Sequence, residues 1–311
     1  MMGGAEVLVL SILGPVLFCQ WLLEDWQVAL VSSISFAGYA VGSIFFGKIG
    51  DIYGRKTSIT FGACVILYYG ILCSAAPNVT WLVILRCAVG FGVGSLPQGA
   101  IIYAELLPVN YRGRLIILIE IFFAFGGAFA ALTALGLLNS FGWRWWLLSC
   151  STPALVFLTF TKWLPESPRY YVATGLQKKA CEILDKAATF NNIVLPAGQI
   201  KEQKLIPRGK LANLFHPKYR VLTILLLLIW GLVGFSYIGI VLASTYLIKL
   251  DTTCPTEMEL QTLHFTSNDN QCLPLTNSDL IGVLTTSIAE IPGVIVAMFL
   301  VDIIGRRNTL V

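Results

Sequence analysis

The sequence is short of charge and contains only 2 histidines. Asp, Glu, Lys and Arg make up 12% of its 311 residues, roughly half the share found in ordinary globular proteins. Its 8 cysteines include no CxxC pair, so neither a zinc site nor a dense disulfide scaffold is indicated. A nuclease, a cytosolic dehydrogenase and a disordered tail are all excluded by this composition.

Apolar residues are in large excess: they account for 56% of the chain, and the mean hydropathy is +0.77. Runs of roughly 20 apolar residues can cross a bilayer as helices, and these runs lack the alternation of membrane β-strands. The sequence therefore predicts an all-α fold, a polytopic membrane helical bundle. The eight predicted spans are Met1–Leu23, Trp26–Phe46, Thr57–Ala76, Val79–Ala104, Leu115–Leu138, Trp143–Leu164, Val221–Ile248 and Leu280–Val301.

The first run has one alternative interpretation, a signal peptide. No Lys or Arg precedes it, and no small-residue cleavage site follows it before Trp21 and Glu24. We therefore treat it as a span.

Lys and Arg residues fall mostly on one side of the predicted membrane. Of the 21, 18 lie in the segments that follow spans two, four, six and eight or, for Lys162, at the end of span six. Cytoplasmic loops carry such an excess, so this side and the amino terminus are predicted to be cytoplasmic. On the other side, Trp143, Trp145 and Trp146 predict an aromatic belt at the membrane interface.

Two loops share one pattern, an Asp followed after two residues by Gly and two cations. One copy lies in Gly47–Lys56 and the other in Asp302–Arg307. This repetition suggests two homologous halves, as in many transporters, although two ordinary basic turns are the alternative. In the first copy Asp51 can cap the next helix or pair with Arg55, and Gly54 permits a tight turn.

The first loop resembles the GxxxDxxGRR/K pattern of the major facilitator superfamily. Further segments are similar to the RxxxGxGxG, ExxPxxxRG, GWRW and PESPR motifs of its sugar-porter and organic-ion branch. They are Arg86–Gly94, Glu105–Gly113, Gly142–Trp145 and Pro165–Arg169. The stretch from Leu10 to Leu30 resembles the synaptic vesicle 2-related subfamily. The resemblance implies a helical transporter, and it covers roughly residues 5–307.

Members of this superfamily have twelve helices, so the eight spans look truncated. A short isoform, a fragment and an incomplete gene model remain open as interpretations. The predicted organisation is an amino-terminal six-helix half over residues 1–164 and a partial carboxy-terminal half over 221–311. Between them lies a cytoplasmic loop, 165–220, with an amphipathic helix from Thr174 to about Phe190.

Ionisable residues inside a span cost at least about 2.5–3.5 kcal/mol each, so they usually face a cavity or a partner. Arg86 shares a helical face with Gly90 and Gly94, and Glu6 is its most plausible partner. A charge that is switched by substrate or proton is the functional interpretation, and a buried packing pair is the alternative. The four residues of this kind are Glu6, Arg86, Glu120 and Glu290.

Glu290 lies near the middle of the eighth span, two residues before Pro292, where a broken helix would expose carbonyls. Its carboxylate can meet a cationic substrate or carry a proton, and a hydrogen bond to a neighbouring helix is the alternative. Glu120 either reaches toward the cytoplasmic interface or takes part in the site. Phe235 and Tyr237 can hold an organic cation by cation–π attraction, or simply pack.

The resemblance also implies that cytoplasmic motifs control opening of that side. Glu166 and Arg169 would pair with Arg112, Arg114 or Glu105 while the outer side is open. The residues assigned to these gating loops are Gly47, Asp51, Gly54, Arg55, Lys56, Glu105, Arg112, Arg114, Glu166, Arg169, Asp302 and Arg306.

No cofactor, metal or nucleic-acid partner is predicted, and the chain is not predicted to be an enzyme. Residues 42–48 have the GxxxxGK spacing of a phosphate loop, but Ile49 replaces the required Ser or Thr. A disulfide between Cys254 and Cys272 is permitted on the outer side, and two free thiols are the alternative. Cys19 and four other cysteines in apolar stretches are predicted to be small core residues.

Two functions compete at this stage. The first is secondary active transport of a small organic solute, specifically an organic ion, by alternating access, with a proton as possible coupling ion. The second is a non-transporting membrane protein that associates with a full-length homologue and regulates it. Either protein would reside in the plasma membrane or an intracellular vesicle membrane.

Overall fold

The computed structural model describes residues 1–108, 112–193, 214–251 and 275–303. Within these ranges all regular elements are helices, as predicted. The helices are α1 (Met2–Trp21), α2 (Asp25–Tyr53), α3 (Arg55–Ser74), α4 (Val79–Val93), α5 (Leu96–Leu106), α6 (Arg112–Phe141), α7 (Trp143–Cys150), α8 (Thr152–Phe160), α9 (Pro168–Ala173), α10 (Gln177–Phe190), α11 (Arg220–Asp251) and α12 (Asn277–Ile303), with a 3₁₀ turn at Thr161–Trp163.

Seven stretches are long and apolar enough to cross a membrane by length and composition, with α4 and α5 joined as one. The sixth predicted span is instead divided into α7, α8 and the 3₁₀ turn. Pro153 explains the division. A proline has no N–H to donate to the carbonyl four residues earlier, and its ring clashes with that carbonyl. The break falls at Ser151, just before this proline.

Helix α1 lies at the centre of the first bundle, which we define as α1 to α8. It is apolar around most of its circumference, which is the pattern of a helix buried on all sides. Ile12, Leu13 and Leu17 are fully buried and belong to one apolar core that also includes side chains of α4, α6 and α7. Helix α2 packs along α4, and α3 packs against α4 and α7.

The bundle has two chemically different ends. The basic end carries Arg55, Arg112 and Lys162, and the tryptophan end carries Trp143 and Trp145. Edge-to-face packing of Trp21 on Trp143, with ring centroids 5.4 Å apart, places the end of α1 at the tryptophan end.

The predicted aromatic belt is wrong for two of its three tryptophans. Trp143 and Trp146 are buried, and the indole N–H of Trp146 donates to the carbonyl of Ala130 at 3.0 Å. Only Trp145 is exposed. Composition alone does not distinguish a tryptophan that faces lipid from one that fills the core, because both uses suit a large apolar ring with one polar N–H.

The last two long helices are the most exposed of the seven that could cross a membrane. Helix α12 lies along α6, and α11 touches α1 and α12. No side chain from Arg220 to Ser244 is buried. Helix α12 continues through Pro292, so the helix break expected next to Glu290 is absent.

The amphipathic helix after the first bundle begins later than predicted. Thr174 ends α9, and Gly175 then adopts a left-handed φ of 79° before α10 starts at Gln177. Ala180 is buried where α10 meets α9, whereas Leu184 and Phe190 of the same helix are exposed.

Candidate functional site

The structure brings Glu6 and Arg86 together inside the bundle. A guanidinium nitrogen of Arg86 donates to a carboxylate oxygen of Glu6 at 2.9 Å. The Arg86 side chain is 3% exposed and that of Glu6 is 14% exposed. Burying two charges is tolerated only when they pair closely. The Nε of Arg86 is buried without a hydrogen-bond partner in the described chain, so the guanidinium is not fully satisfied by Glu6.

Two glycines explain how α4 holds Arg86 so deep. A Cβ on Gly90 would collide with the carbonyl oxygen of Ser35, and a Cβ on Gly94 would collide with the amide nitrogen of Ser43. Larger residues at these positions would therefore push α2 away from α4. Close approach of these two backbones fixes the helix that carries Arg86.

A second polar contact joins α11 and α12. The hydroxyl of Tyr237 donates to a carboxylate oxygen of Glu290 at 3.2 Å. Phe123 of α6 faces Tyr237, with ring centroids 6.2 Å apart. The carboxylate of Glu120, also on α6, lies within electrostatic range of both the Tyr237 hydroxyl and the Glu290 carboxylate. Three helices thus place two carboxylates and two aromatic rings in one region.

Phe235 does not belong to this group. It is 81% exposed on α11, two residues from Tyr237 and therefore on another face of the helix. Phe123 is the aromatic residue that faces Tyr237 in the structure. No signal in the sequence pointed to Phe123, because an aromatic residue in an apolar helix has no distinguishing pattern.

At the basic end, Gly54 forms the tight turn between α2 and α3. Its φ of 100° lies in the region that favours glycine. A Cβ there would also collide with a carboxylate oxygen of Glu166. That carboxylate accepts hydrogen bonds from the backbone N–H groups of Arg55, at 2.9 Å, and Lys56, at 3.1 Å.

Glu166 therefore caps α3, which was one of the two roles predicted for Asp51. A carboxylate at a helix N-terminus satisfies unpaired N–H groups and interacts favourably with the helix dipole. Asp51 itself is exposed on α2. In this structure the carboxylate of Glu166 contacts the backbone at the start of α3. Its pairing with Arg112, Arg114 or Glu105 while the outer side is open stays a prediction.

Glu105 joins the same cluster from α5. It forms an ion pair with Arg55, with N and O 3.4 Å apart, and accepts a hydrogen bond from the hydroxyl of Ser167. We call Gly54, Arg55, Glu105, Glu166 and Ser167 the latch. It ties the ends of α2, α3 and α5 to the start of α9.

Tyr170 and Tyr171 border the latch, and the sequence did not single them out. The hydroxyl of Tyr170 donates to the carbonyl of Ile52 at 3.0 Å. Partial burial, followed by the negative charge of Glu166, raises the pKa of Tyr171 above its usual value. Ser167 was detectable in principle, because a Ser directly before Pro168 is a typical helix start.

The other predicted gating residues lie outside the latch. A Cβ on Gly47 would meet nothing, and Arg112 donates to the carbonyl of Leu107 at 3.2 Å. Arg114 lies in the first turn of α6, and Arg169 is exposed. Asp302 lies in the last turn of α12.

Arg306, Cys254 and Cys272 lie outside the described residues. Cys19, predicted to be a core thiol, is disulfide-bonded instead. The free cysteines of the described residues are Cys64, Cys73, Cys87, Cys150 and Cys181. Among the residues that the structure describes, no group of three His, Cys, Asp or Glu side chains is suited to hold a metal ion.

Comparison with known proteins places these features in context. The model of the family described as "Sugar (and other) transporter" matches residues 11–311. Synaptic vesicle 2-related protein of Rattus norvegicus is 41% identical over 310 residues, which cover 100% of this chain and 56% of that protein. The chain thus spans about half the length of the curated relatives it matches.

Solved structures show the same fold. The partially occluded inward open conformation of the xylose transporter XylE from E. coli has a TM-score of 0.65 at 19% identity, covering 99% of this chain and 71% of that one. The major facilitator superfamily proton:xylose symporter XylE bound to 6-bromo-6-deoxy-D-glucose has a TM-score of 0.62 at 17% identity, covering 97% and 66%.

Proposed function

The chain belongs to the sugar (and other) transporter family of the major facilitator superfamily, and on this premise we propose that it serves proton-coupled transport of a small organic solute by alternating access. Membership makes it a multi-pass membrane protein of a transporter family rather than an enzyme. The observation that carries the proposal is the buried ion pair of Glu6 and Arg86.

The coupling step follows from the energetics of that pair. When Glu6 is ionised, its charge is balanced by Arg86, and the two side chains hold α1 against α4. Protonation of Glu6 leaves Arg86 buried without a counter-charge, a state that costs several kcal/mol. Proton uptake at Glu6 thus favours a rearrangement that gives Arg86 a new partner. A similar fold in a protein described as a proton:xylose symporter supports a proton as the coupling ion.

We further propose that the solute is an organic cation. Glu120 and Glu290 supply two carboxylates within electrostatic range of one another, and both would attract an organic cation. The rings of Phe123 and Tyr237 can contact a quaternary or protonated amine through their faces. An anionic solute would meet repulsion from both carboxylates.

The two parts that would move against each other are residues 1–164 and 221–311, joined by 165–220. In this proposal the latch holds the basic end of the first part as one unit, with Asp51, Lys56 and Arg169 at its margin. The basic end is assigned to the cytoplasm, and the protein to the plasma membrane or a vesicle membrane, which the synaptic vesicle 2-related relatives favour.

The test compares proton-driven uptake with solute exchange in proteoliposomes. Glu6→Gln is expected to abolish uptake driven by a pH gradient while it retains exchange of labelled for unlabelled solute, because exchange moves no net proton. Glu24→Gln is the matched control, since Glu24 is an exposed carboxylate at the start of α2. Gradient-driven uptake that survives in Glu6→Gln would remove this residue from coupling.

A second candidate is association with a full-length homologue. The observation that favours it is the apolar surface of α11, from which no side chain is buried up to Ser244. Co-purification of the two proteins from mild detergent would support this function. Separate elution at all concentrations would argue against it.

A further inference from the structure

A cavity at the tryptophan end of the first bundle shares no residue with the ion pair, the latch or the region around Glu290. Its volume is about 320 Å³, within the range of about 300–1,000 Å³ that small-molecule sites occupy. The residues that line it are Gln20, Phe141, Gly142, Trp143, Arg144 and Trp145. All of them belong to the first bundle, so the cavity does not depend on how α11 and α12 are packed.

The cavity lies at the depth of the lipid headgroups. Helix α6 is long and apolar enough to cross the membrane and ends at Phe141, and α7 begins at Trp143. Gln20 lies in the last turn of α1, another of the spans. The ends of spans lie at the boundary between hydrocarbon and headgroups. A phospholipid is therefore the molecule that reaches this cavity most readily.

Arg144 is held at the cavity by two contacts. A guanidinium nitrogen donates to the carbonyl of Ala76 at 3.2 Å, just beyond the end of α3. The guanidinium also lies 5.2 Å from the centroid of the Trp143 ring, which packs edge-to-face on Trp21. Since a guanidinium has five N–H donors in a rigid fork, donors remain for a ligand. None of the lining residues is acidic, so the lining suits an anionic group.

The side chains of the lining match the two charges of one headgroup. A planar guanidinium can donate two parallel hydrogen bonds to a phosphate group, and the amide of Gln20 is a further donor in the lining. The rings of Phe141 and Trp145 line the same cavity, and aromatic faces attract quaternary ammonium groups. A phosphate joined to a quaternary ammonium group is the phosphocholine headgroup.

We propose that this cavity binds the phosphocholine headgroup of a phospholipid from the leaflet at the tryptophan end. The phosphate accepts hydrogen bonds from Arg144 and Gln20, and the trimethylammonium group contacts the rings of Phe141 and Trp145. The acyl chains remain in the bilayer. This lipid site goes beyond the proposed transport function, and it stands whether or not the chain moves a solute.

The experiment counts phosphatidylcholine molecules on the purified full chain. The protein in detergent is titrated with dioleoylphosphatidylcholine, and native mass spectrometry counts the bound lipid at each concentration. We expect Arg144→Gln to raise the apparent Kd about tenfold to a hundredfold, because it removes a hydrogen bond to a charged group. Arg144→Lys should raise it less, because it keeps the positive charge. Arg220→Gln is the matched control, since Arg220 is exposed at the start of α11, and it should leave the Kd unchanged.

Trp145→Leu tests the aromatic contact without altering Arg144. The Kd for phosphatidylcholine should rise about twofold to fivefold, the effect of losing one cation–π contact. Trp81→Leu is the matched control, because Trp81 is an exposed indole of α4 that does not line the cavity. Phosphatidylglycerol carries the phosphate without the ammonium group. Its Kd should therefore rise in Arg144→Gln and stay the same in Trp145→Leu.

Unchanged binding of phosphatidylcholine in both Arg144→Gln and Trp145→Leu would overturn the proposal. An equal loss in Trp81→Leu would also overturn it, because it would indicate a general loss of lipid around the helices. Displacement of the lipid by an equal concentration of inorganic phosphate would indicate a site for a free anion instead of a headgroup. Elution volume and unfolding temperature show which variants fold. If Arg144→Gln does not fold, Arg144→Lys and Trp145→Leu decide the result.

Discussion

Glu6 and Glu290 are both carboxylates inside membrane helices, but their surroundings differ. Glu6 lies in a closely packed bundle and has a guanidinium 2.9 Å away. Glu290 is half-buried on α12, and its hydrogen-bond partner among the described residues is the hydroxyl of Tyr237, at 3.2 Å. Among the described residues, one acid is thus paired with a cation and the other with a neutral hydroxyl. An acid with an internal cation suits coupling, whereas an acid without one suits binding of a cationic solute.

The largest effect is expected at the ion pair of Glu6 and Arg86. Arg86→Ala should destabilise the protein by about 3–5 kcal/mol, because Glu6 would then be buried without its cation. Thermal unfolding in detergent measures the loss. The double variant Arg86→Ala with Glu6→Ala should recover part of it. If the double variant is no more stable than the single one, the pair is not what holds α1 to α4.

The next largest effect is expected at Glu290. Glu290→Gln should weaken apparent affinity for a cationic solute by about tenfold to a hundredfold, since a hydrogen bond to a charged group contributes about 1.5–3 kcal/mol. The KM for uptake, together with the amount of protein in the membrane, measures this. Unchanged uptake at equal expression would remove Glu290 from the mechanism, and the contrast between the two acids would then have no functional meaning.

Tyr237→Phe should have a smaller effect in the same direction. It removes a hydroxyl that contributes about 0.5–1.5 kcal/mol but keeps the ring that faces Phe123. A KM increase of a few-fold is expected. Tyr237→Leu provides the comparison, because it also removes the aromatic face, and a KM no higher than that of Tyr237→Phe would argue against cation–π contact.

Phe235→Ala should have the smallest effect of the four. Its ring is 81% exposed on α11, and substitutions at such positions usually change stability by less than about 0.5 kcal/mol. Uptake and unfolding temperature should match those of the parent. A loss as large as that of Tyr237→Phe would place Phe235 in the binding region after all.

The sequence predicted the helical membrane fold, the family and the proximity of Glu6 to Arg86. For the fold and the ion pair one rule is enough: apolar runs must become helices in a bilayer, and charges within them must find partners. The partner of Glu166 was not predictable in the same way. It is the backbone at the start of α3, 111 residues away in sequence, and a free N–H group has no residue identity that a pattern could reveal.

The sequence also did not predict where helices break or which face of a helix a side chain occupies. A proline followed by glycine suggested a break at Pro292. Helix α12 continues, because the loss of one backbone hydrogen bond is tolerated when the rest of the helix is intact. Conversely, the sixth span breaks at Ser151 although its apolar run is continuous. Which face a side chain occupies depends on helix rotation, and this explains why Phe123 rather than Phe235 meets Tyr237.

Pro292 gives α12 a mechanical property. A proline donates no hydrogen bond to the carbonyl four residues before it, here that of Ile288. Glu290 lies within this turn. Helix α12 can therefore bend at Glu290 without breaking a further backbone hydrogen bond, and such a bend moves this carboxylate relative to Glu120 of α6.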